Sequence, residues 1–160
     1  MFKKFCEENG ITHEVTAPRT PEQNGIAKRK NRTLKDTMNA MLISSGLLSN
    51  MWGEAIISAC HVLNRVPHKK IRKTSYELWE GRSPNLGYLK VWGCLEKVGI
   101  PEPHKEKIGP KTKDSVFIGY AQNSPVYRCL VLETNTIMEA RDADFFEHIF
   151  PMKGTRLTNE

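Results

Sequence analysis

The chain has 160 residues, 39% of them hydrophobic, and its 24 Lys+Arg against 18 Asp+Glu give a formal net charge of +6. No apolar run approaches the roughly 18 residues of a membrane span, and acidic residues soon follow the basic start, so we expect neither a membrane helix nor a signal peptide. The four cysteines form no CxxC pair and have no histidine at zinc-ligand spacing. This pattern argues against a zinc site and predicts reduced thiols in an intracellular protein.

The positive charge is concentrated in the first half of the chain. Up to Lys73 there are 13 Lys+Arg and 6 Asp+Glu, a balance of +7, and after it there are 11 and 12, a balance of −1. This asymmetry indicates a polyanionic partner for the first half alone.

The chain begins with a pattern typical of a helix end followed by a strand. Residues 2–9 place apolar side chains on one helical face before Gly10, and residues 11–16 alternate in the manner of a short strand. Because a strand needs neighbours and none precedes this one, we expect the chain to be a truncated piece of a larger α/β sheet.

The segment TPEQNGIAKRKNRTLK, residues 20–35, combines a helix start with a cationic run. The spacing from Thr20 to Gln23 predicts a capping box with proline at the first helical position, and apolar residues from Ile26 onward predict a helix that ends at Gly46. Five cations follow within eight residues, answered only by Asp36. The run is typical either of a solvated helix face or of an anion-binding face.

Two further helices are predicted before residue 82. Ser49 is a candidate N-cap for a core helix that places Trp52 on its apolar side and ends before Pro67, and we interpret Trp52 and His61 as packing or edge residues. Residues 68–73, HKKIRK, form a second basic cluster in a loop. Residues 74–77 have capping-box spacing and open a short helix that ends at Gly81.

The remainder of the chain is rich in strand patterns. Strands are predicted over residues 89–98, 115–120, 126–132 and 136–140, separated by turns, which suits a small β-barrel. The acidic, aromatic residues 142–150 are predicted to pack across the end of this barrel. The composition change near residues 82–87 indicates a domain boundary.

Several motifs of the chain resemble those of a known protein family. PEQNGIAKRKNRTL resembles the sequence around the third catalytic carboxylate in integrases of copia-type LTR retrotransposons. FCEENGITHEVTAPRTP before it, and WGEAIISACHVLNRVPHKK, TSYELWEGRSPNLGYLKVWGC, DSVFIGYAQNSPVYRCLVLE and NTIMEARDADFFE after it, resemble the same Pol polyproteins in the same order. The resemblance implies an α+β chain: the mainly helical, C-terminal part of an RNase H-like integrase core over residues 1–84, a small Src-homology-3-like β-barrel over residues 85–150, and a tail over residues 151–160.

The same resemblance implies a catalytic site, and we expect this chain not to retain it. In the family, two Asp and one Glu hold two divalent ions, Mg or Mn, that activate the nucleophile and stabilise the leaving oxygen. The Glu lies three residues after the glycine of QNG, where this sequence has Lys28, and both Asp lie upstream of the helix in which this chain begins. Glu22 is the only nearby carboxylate and stands six residues too early. We therefore expect no catalysis, no metal and no other cofactor.

What the resemblance leaves is nucleic-acid binding. The family's corresponding helix approaches the DNA end, so we predict sequence-independent, salt-sensitive contacts to the DNA phosphate backbone from Lys28, Arg29, Lys30, Arg32 and Lys35. The alternative is a structural remnant that only self-associates. We expect no membrane or small-molecule partner and, for a functional protein, a nuclear location, for which HKKIRK is a weak signal.

Overall fold

The structure of the protein is a computed structural model that describes residues 2–15, 17, 18, 20–100, 107–122 and 124–157. The chain divides into two compact units, Met1–Thr33 and Leu34–Glu160, which are described separately. The predicted domain boundary between residues 84 and 85 stays a prediction, because the limits of a compact unit do not define an evolutionary domain.

The first unit begins with helix α1, Phe2–Glu8, which confirms the predicted helix end. Gly10 terminates it with φ +66°, and the Ile11 amide donates to the Cys6 carbonyl at 2.8 Å, the usual closure of a helix by a left-handed glycine. The strand predicted over residues 11–16 is wrong: residues 11–15 form no strand, and residue 16 lies outside the described residues. No described strand of this unit lies beside the segment to share backbone hydrogen bonds.

Helix α2, Gly25–Ser45, is the longest of the described helices, and its residues from Leu34 onward belong to the second unit. It ends as predicted, because Gly46 adopts φ +76°. A Cβ on Gly46 would lie 2.5 Å from the Lys153 Cα, so this turn requires glycine for space as well as for conformation. Leu42 and Ser45 are buried at this end of the helix.

Helix α3, Trp52–Leu63, follows a 3₁₀ turn at Ser49–Met51. The predicted Ser49 N-cap is wrong, since Met51 precedes the α-helix without a side-chain capping bond. Ala55 and Ala59 are fully buried, but Trp52 is 58% exposed and therefore does not belong to the buried side on which it was predicted.

Helix α4, Ser75–Glu80, confirms the second capping box. The Glu77 amide donates to Thr74 Oγ1 at 2.9 Å, and the Thr74 amide donates to Glu77 Oε2 at 2.6 Å. These two bonds satisfy backbone donors that have no partner inside the helix. Gly81 ends the helix with φ +71°, as predicted.

Five antiparallel strands form one sheet in the order β4-β3-β2-β1-β5. Their bounds are β1 Leu95–Gly99, β2 Thr112–Tyr120, β3 Tyr127–Val131, β4 Ile137–Ala140 and β5 Ala143–Phe146. Residues 89–94 lie outside the first strand, so the predicted start at residue 89 is wrong. The predicted packing segment from residue 142 instead contributes β5, which pairs with β1 as an edge strand.

The two faces of the sheet have separate cores. Val116, Ile118 and Leu130 pack with residues of the helices and with Trp92, whose indole Nε1 donates to the Ile118 carbonyl at 2.7 Å. A register shift between Phe117 and Gly119 then places Phe117 and Tyr120 together on the other face, in an aromatic cluster that includes Tyr88, Tyr127 and Phe145. The helices of this unit thus cover one face and aromatic residues fill the other.

The four cysteines are free thiols. Cys6, Cys94 and Cys129 are buried and Cys60 is exposed, as expected for mostly buried thiols. Burial raises the pKa of the Cys94 and Cys129 thiols to about 12, which keeps both protonated at neutral pH. Among the described helices, none has the length and apolar character that crossing a membrane requires.

Candidate nucleic-acid interface

The cationic segment follows a 3₁₀ turn, Pro21–Asn24, that leads directly into α2. The predicted capping box at Thr20 is wrong. Thr20 has φ −109° and ψ 75°, its side chain makes no capping bond, and its hydroxyl donates instead to the Ala17 carbonyl at 2.6 Å. The prediction of proline at the first helical position is confirmed. Proline suits this position because it lacks the amide hydrogen that a cap would satisfy.

Four of the five predicted binding residues lie in the first unit, on the first two turns of α2. Lys28, Arg29, Lys30 and Arg32 are all exposed. Lys28 and Arg32 are four residues apart and project from the same side of the helix. Arg29 and Lys30 project from other sides, because each residue is rotated about the helix axis relative to the one before it. We call these four residues the α2 cationic segment.

The α2 cationic segment forms no ion pair within the described residues. The first turn of α2 contains no acidic residue, and no ion pair within the described part of the chain includes any of the four side chains. Arg29 Nε donates to the Gly25 carbonyl at 3.3 Å, which leaves its terminal nitrogens available. The partial positive charge of a helix N-terminus has the same sign, so the segment favours an external anion.

Lys35, the fifth predicted residue, belongs to the second unit. It is exposed and is followed by the exposed Asp36. The structure therefore brings Lys28, Arg29, Lys30 and Arg32 together in one unit and places Lys35 in the other.

The side chains at the integrase-like position do not suit a metal pair. Divalent Mg and Mn are bound through oxygen ligands, but Lys28 offers an ammonium group, and its neighbours Arg29 and Lys30 are also cations. Glu22 lies in the 3₁₀ turn and is exposed. Among the residues described, no group of three or more His, Cys, Asp or Glu side chains could hold a metal ion.

A second exposed cationic site lies in the loop between α3 and α4. The His68 amide donates to the Lys73 carbonyl at 2.9 Å and the Arg72 amide to the His68 carbonyl at 2.8 Å, so residues 68–73 form a closed turn, hereafter the basic turn. Arg72 adopts φ +52° within it. The sequence predicts the charge of this loop but not its closed conformation, which the two backbone hydrogen bonds and the left-handed backbone of Arg72 show.

His61 contributes no positive charge at neutral pH. Its ring stacks on Tyr120 with centroids 4.4 Å apart, and its Nε2 lies 2.8 Å from the Tyr88 hydroxyl. Burial, followed by the charge of Arg65, lowers its pKa to about 4. The interpretation of His61 as a packing residue is confirmed.

Comparisons with known proteins found relatives of this chain. A family model described as "Retroviral polymerase SH3-like domain" matches residues 94–158, which include all five strands of the sheet. The "Retrovirus-related Pol polyprotein from transposon TNT 1-94" of Nicotiana tabacum is 33% identical over 91% of this chain and 11% of its own length. The chain is related to the Pol polyproteins of copia-type retrotransposons.

Other relatives support the same relationship. The Pol polyprotein from transposon RE1 of Arabidopsis thaliana is 30% identical over 94% of this chain and 10% of its own length. The "Truncated transposon Ty1-A Gag-Pol polyprotein" of Saccharomyces cerevisiae is 38% identical over 45% of this chain and 6% of its own length. The chain thus spans about a tenth of the two plant polyproteins, and the resemblance seen in the sequence motifs is confirmed.

Proposed function

We propose that the chain is an integrase-derived fragment that binds the phosphate backbone of DNA without sequence preference and catalyses no DNA joining. The observation that carries this proposal is the α2 cationic segment, in which four exposed cations have no ion-pair partner within the described residues. Phosphate contacts of this kind release counterions, so binding should weaken steeply with salt. Lys35 is proposed as an additional contact from the second unit.

We propose an RNase H-like integrase core as the ancestry of residues 1–84. Its support is the collinear similarity to Pol polyproteins over 91% of the chain. The loss of catalysis is argued from Lys28, because a cation where the family has a metal-binding carboxylate repels divalent ions and donates no electron pair to them when protonated.

Titration of a fluorescent duplex of arbitrary sequence with the full chain tests the binding proposal. Four phosphate contacts predict a salt slope near −3.6, or about a 100-fold loss of affinity between about 50 and 200 mM salt. Replacing Lys28, Arg29, Lys30 and Arg32 with Gln should remove most of this slope. A matched control replaces four exposed cations from other parts of the chain, Arg82, Lys107, Lys111 and Arg141, with Gln and should keep it.

Two results would contradict the binding proposal. One is the absence of binding by the native chain at low salt. The other is an equal decrease in the α2 variant and the matched control, which would show that only net charge matters. Circular dichroism of each variant checks that the helices are retained.

A strand-transfer assay with Mg²⁺ or Mn²⁺ tests the catalytic part separately. We expect no joined product from the native chain, whether alone or with a partner that supplies an Asp pair. Product formed while Lys28 is still present would refute the argument from Lys28.

Self-association without DNA binding is the second candidate function. It is favoured by large apolar side chains that the second unit leaves exposed, among them Ile43 at 70%, Leu48 at 59% and Trp52 at 58%. Such surfaces are typical of protein contacts. Sedimentation at two protein concentrations tests this role. It predicts an oligomer, and neutralising the α2 cationic segment should not change the formation of that oligomer.

A further inference from the structure

We propose that the basic turn, residues 68–73, is a second binding site for the nucleic-acid phosphate backbone, separate from the α2 cationic segment. The inference rests on the proposed function but concerns a different unit of the chain. Its four cations are Lys69, Lys70, Arg72 and Lys73, and all are exposed.

The basic turn is held in shape by its own backbone before any ligand binds. Two backbone hydrogen bonds between His68 and the residues near the end of the turn close the loop. At its base, the Tyr76 amide donates to the Asn64 carbonyl at 3.0 Å, which joins the start of α4 to the end of α3. A loop ordered in advance loses less conformational entropy on binding than a flexible one.

The side chains at the base of the turn add to this order. The guanidinium of Arg65 lies over the Tyr76 ring at 4.7 Å from its centroid, and Arg65 Nη1 donates to the His61 carbonyl at 2.9 Å. These contacts connect the two helices on either side of the basic turn. The turn thus has a rigid support.

The positive charge of the basic turn is not neutralised by an ion pair in the described residues. Glu77 is the acidic residue nearest in sequence to the turn, but its carboxylate is engaged elsewhere: Oε2 accepts from the Thr74 amide and Oε1 accepts from the Ser83 hydroxyl at 3.0 Å. These bonds, with Thr74 first, lower the pKa of Glu77, and Lys73 contributes least. No ion pair within the described ranges includes Lys69, Lys70, Arg72 or Lys73. All four positive charges are therefore exposed, and within the described residues none of them is held in an ion pair.

The conformation favours nucleic acid over a protein receptor that reads basic peptides. Recognition of an extended Lys/Arg-rich peptide would require breaking both closing hydrogen bonds and changing the left-handed backbone of Arg72. A phosphate backbone requires no such change, because it responds to cations displayed on a fixed surface. The site should therefore bind duplex DNA without base preference.

The test measures the salt dependence of duplex binding by the full chain and by three variants. In the turn variant, Lys69, Lys70, Arg72 and Lys73 are replaced with Gln. A charge-preserving variant carries Lys69→Arg, Lys70→Arg, Arg72→Lys and Lys73→Arg, and the matched control is the variant of Arg82, Lys107, Lys111 and Arg141. Each phosphate that the protein no longer neutralises should reduce the slope by about 0.9, so two or more such phosphates predict a decrease of about 1.8 or more.

We expect this decrease in the turn variant, and in neither the charge-preserving variant nor the matched control. If the native chain binds and the turn variant keeps the native slope, the inference is overturned while the proposed function stands. That result would instead favour a protein as the partner of the basic turn. A slope that falls equally in the matched control would also overturn it. If the native chain binds no duplex, both proposals fail together.

Discussion

Glu96 gives the sharpest test of the fold. It lies on β1, where its cross-strand partners are Ser115 on β2 and Phe145 on β5, and its exposed fraction is 0%. Within the described part of the chain, neither carboxylate oxygen has a hydrogen-bond partner. An unpaired carboxylate in such a place is costly when ionised, so it favours the protonated form.

The size of this effect on stability follows from the pKa of Glu96 in the folded state. Loss of solvation is the largest cause and raises the pKa of Glu96 from 4.5 to about 7. The nearby Cys129 thiol and Ser115 hydroxyl oppose this rise less, because they donate to the backbone carbonyls of Met138 and Glu96 and not to the carboxylate. Because the folded pKa is the higher one, the folded state binds the proton more tightly. The resulting stability is complete below pH 4.5 and is lost as the pH rises through 7, a total of about 3 kcal/mol.

The assay compares urea unfolding of the native chain and Glu96→Gln at about pH 5 and about pH 8. Trp92, buried at 5% exposure, reports loss of the core by fluorescence. Over this interval the free energy of unfolding of the native chain should fall by about 2 to 3 kcal/mol more than that of the variant, since an amide does not ionise. His61 acts in the opposite direction, because its pKa is lowered to about 4, but it is common to both proteins.

The charges that face Glu96 do not alter this expectation. Cys94, which directly precedes β1, and Cys129 on β3 remain protonated, since burial raises the pKa of both thiols to about 12. The pKa of Tyr127 on β3 is also raised, mainly by burial, so its hydroxyl stays neutral. Equal pH dependence of the native chain and Glu96→Gln would refute the reasoning and show that the carboxylate is solvated in solution.

Two further predictions concern local structure. Thr74→Ala removes the hydroxyl that accepts from the Glu77 amide and should cost about 1 kcal/mol in urea unfolding; a loss no larger than that of Thr134→Ala, an exposed control, would contradict the capping role. Gly93→Ala should cost about 2 kcal/mol or more, because Gly93 has φ +84° and a Cβ there would lie 2.1 Å from the Ser45 Cβ. Gly99→Ala, with no atom within 4 Å of its Cβ position, should have a smaller effect, and equal effects would refute the steric argument.

The two capping-box sequences show what local pattern can predict. Thr74 and Thr20 have the same spacing to a Glu or Gln three residues later, yet only Thr74 caps its helix. Thr74 has the extended backbone that a cap needs, with φ −84° and ψ 157°, whereas Thr20 has ψ 75° and bonds back to Ala17. The sequence supplies the capping groups, but the direction from which the chain enters the helix decides whether they are used.

Features set by distant residues were less predictable. Residues 142–150 are acidic and aromatic, a composition that gives no clear strand pattern, yet β5 forms because β1 offers it a free edge. Glu96, between Leu95 and Lys97, is equally unremarkable in sequence, and only its strand neighbours bury it. Trp52 is the reverse case, since its helical position predicts burial but no neighbour covers more than part of it.

For the candidate site, the positions of the positive charges could be predicted from the sequence, but the contacts of the neighbouring residues could not. The α2 cationic segment could be recognised because residues in a helix have fixed directions, so the near absence of carboxylates four residues away predicts exposed charge. At the basic turn, Glu77 follows four residues after Lys73, and sequence alone would allow the two to pair. In the structure the Glu77 carboxylate instead accepts hydrogen bonds from Thr74 and Ser83, and no ion pair with Lys73 is formed among the described residues.

Lys28 connects the two halves of the functional argument. Relative to the carboxylate of the family pattern, a lysine changes the charge at this position by two, from −1 to +1, and removes both oxygen ligands. The same substitution therefore acts against divalent ions and in favour of phosphate, since both effects depend on the sign of one side chain. Because Arg29, Lys30 and Arg32 share its turns of α2, the added charge extends an existing cationic surface. In the proposed function, one residue thus accounts both for the absence of a metal pair and for an added DNA contact.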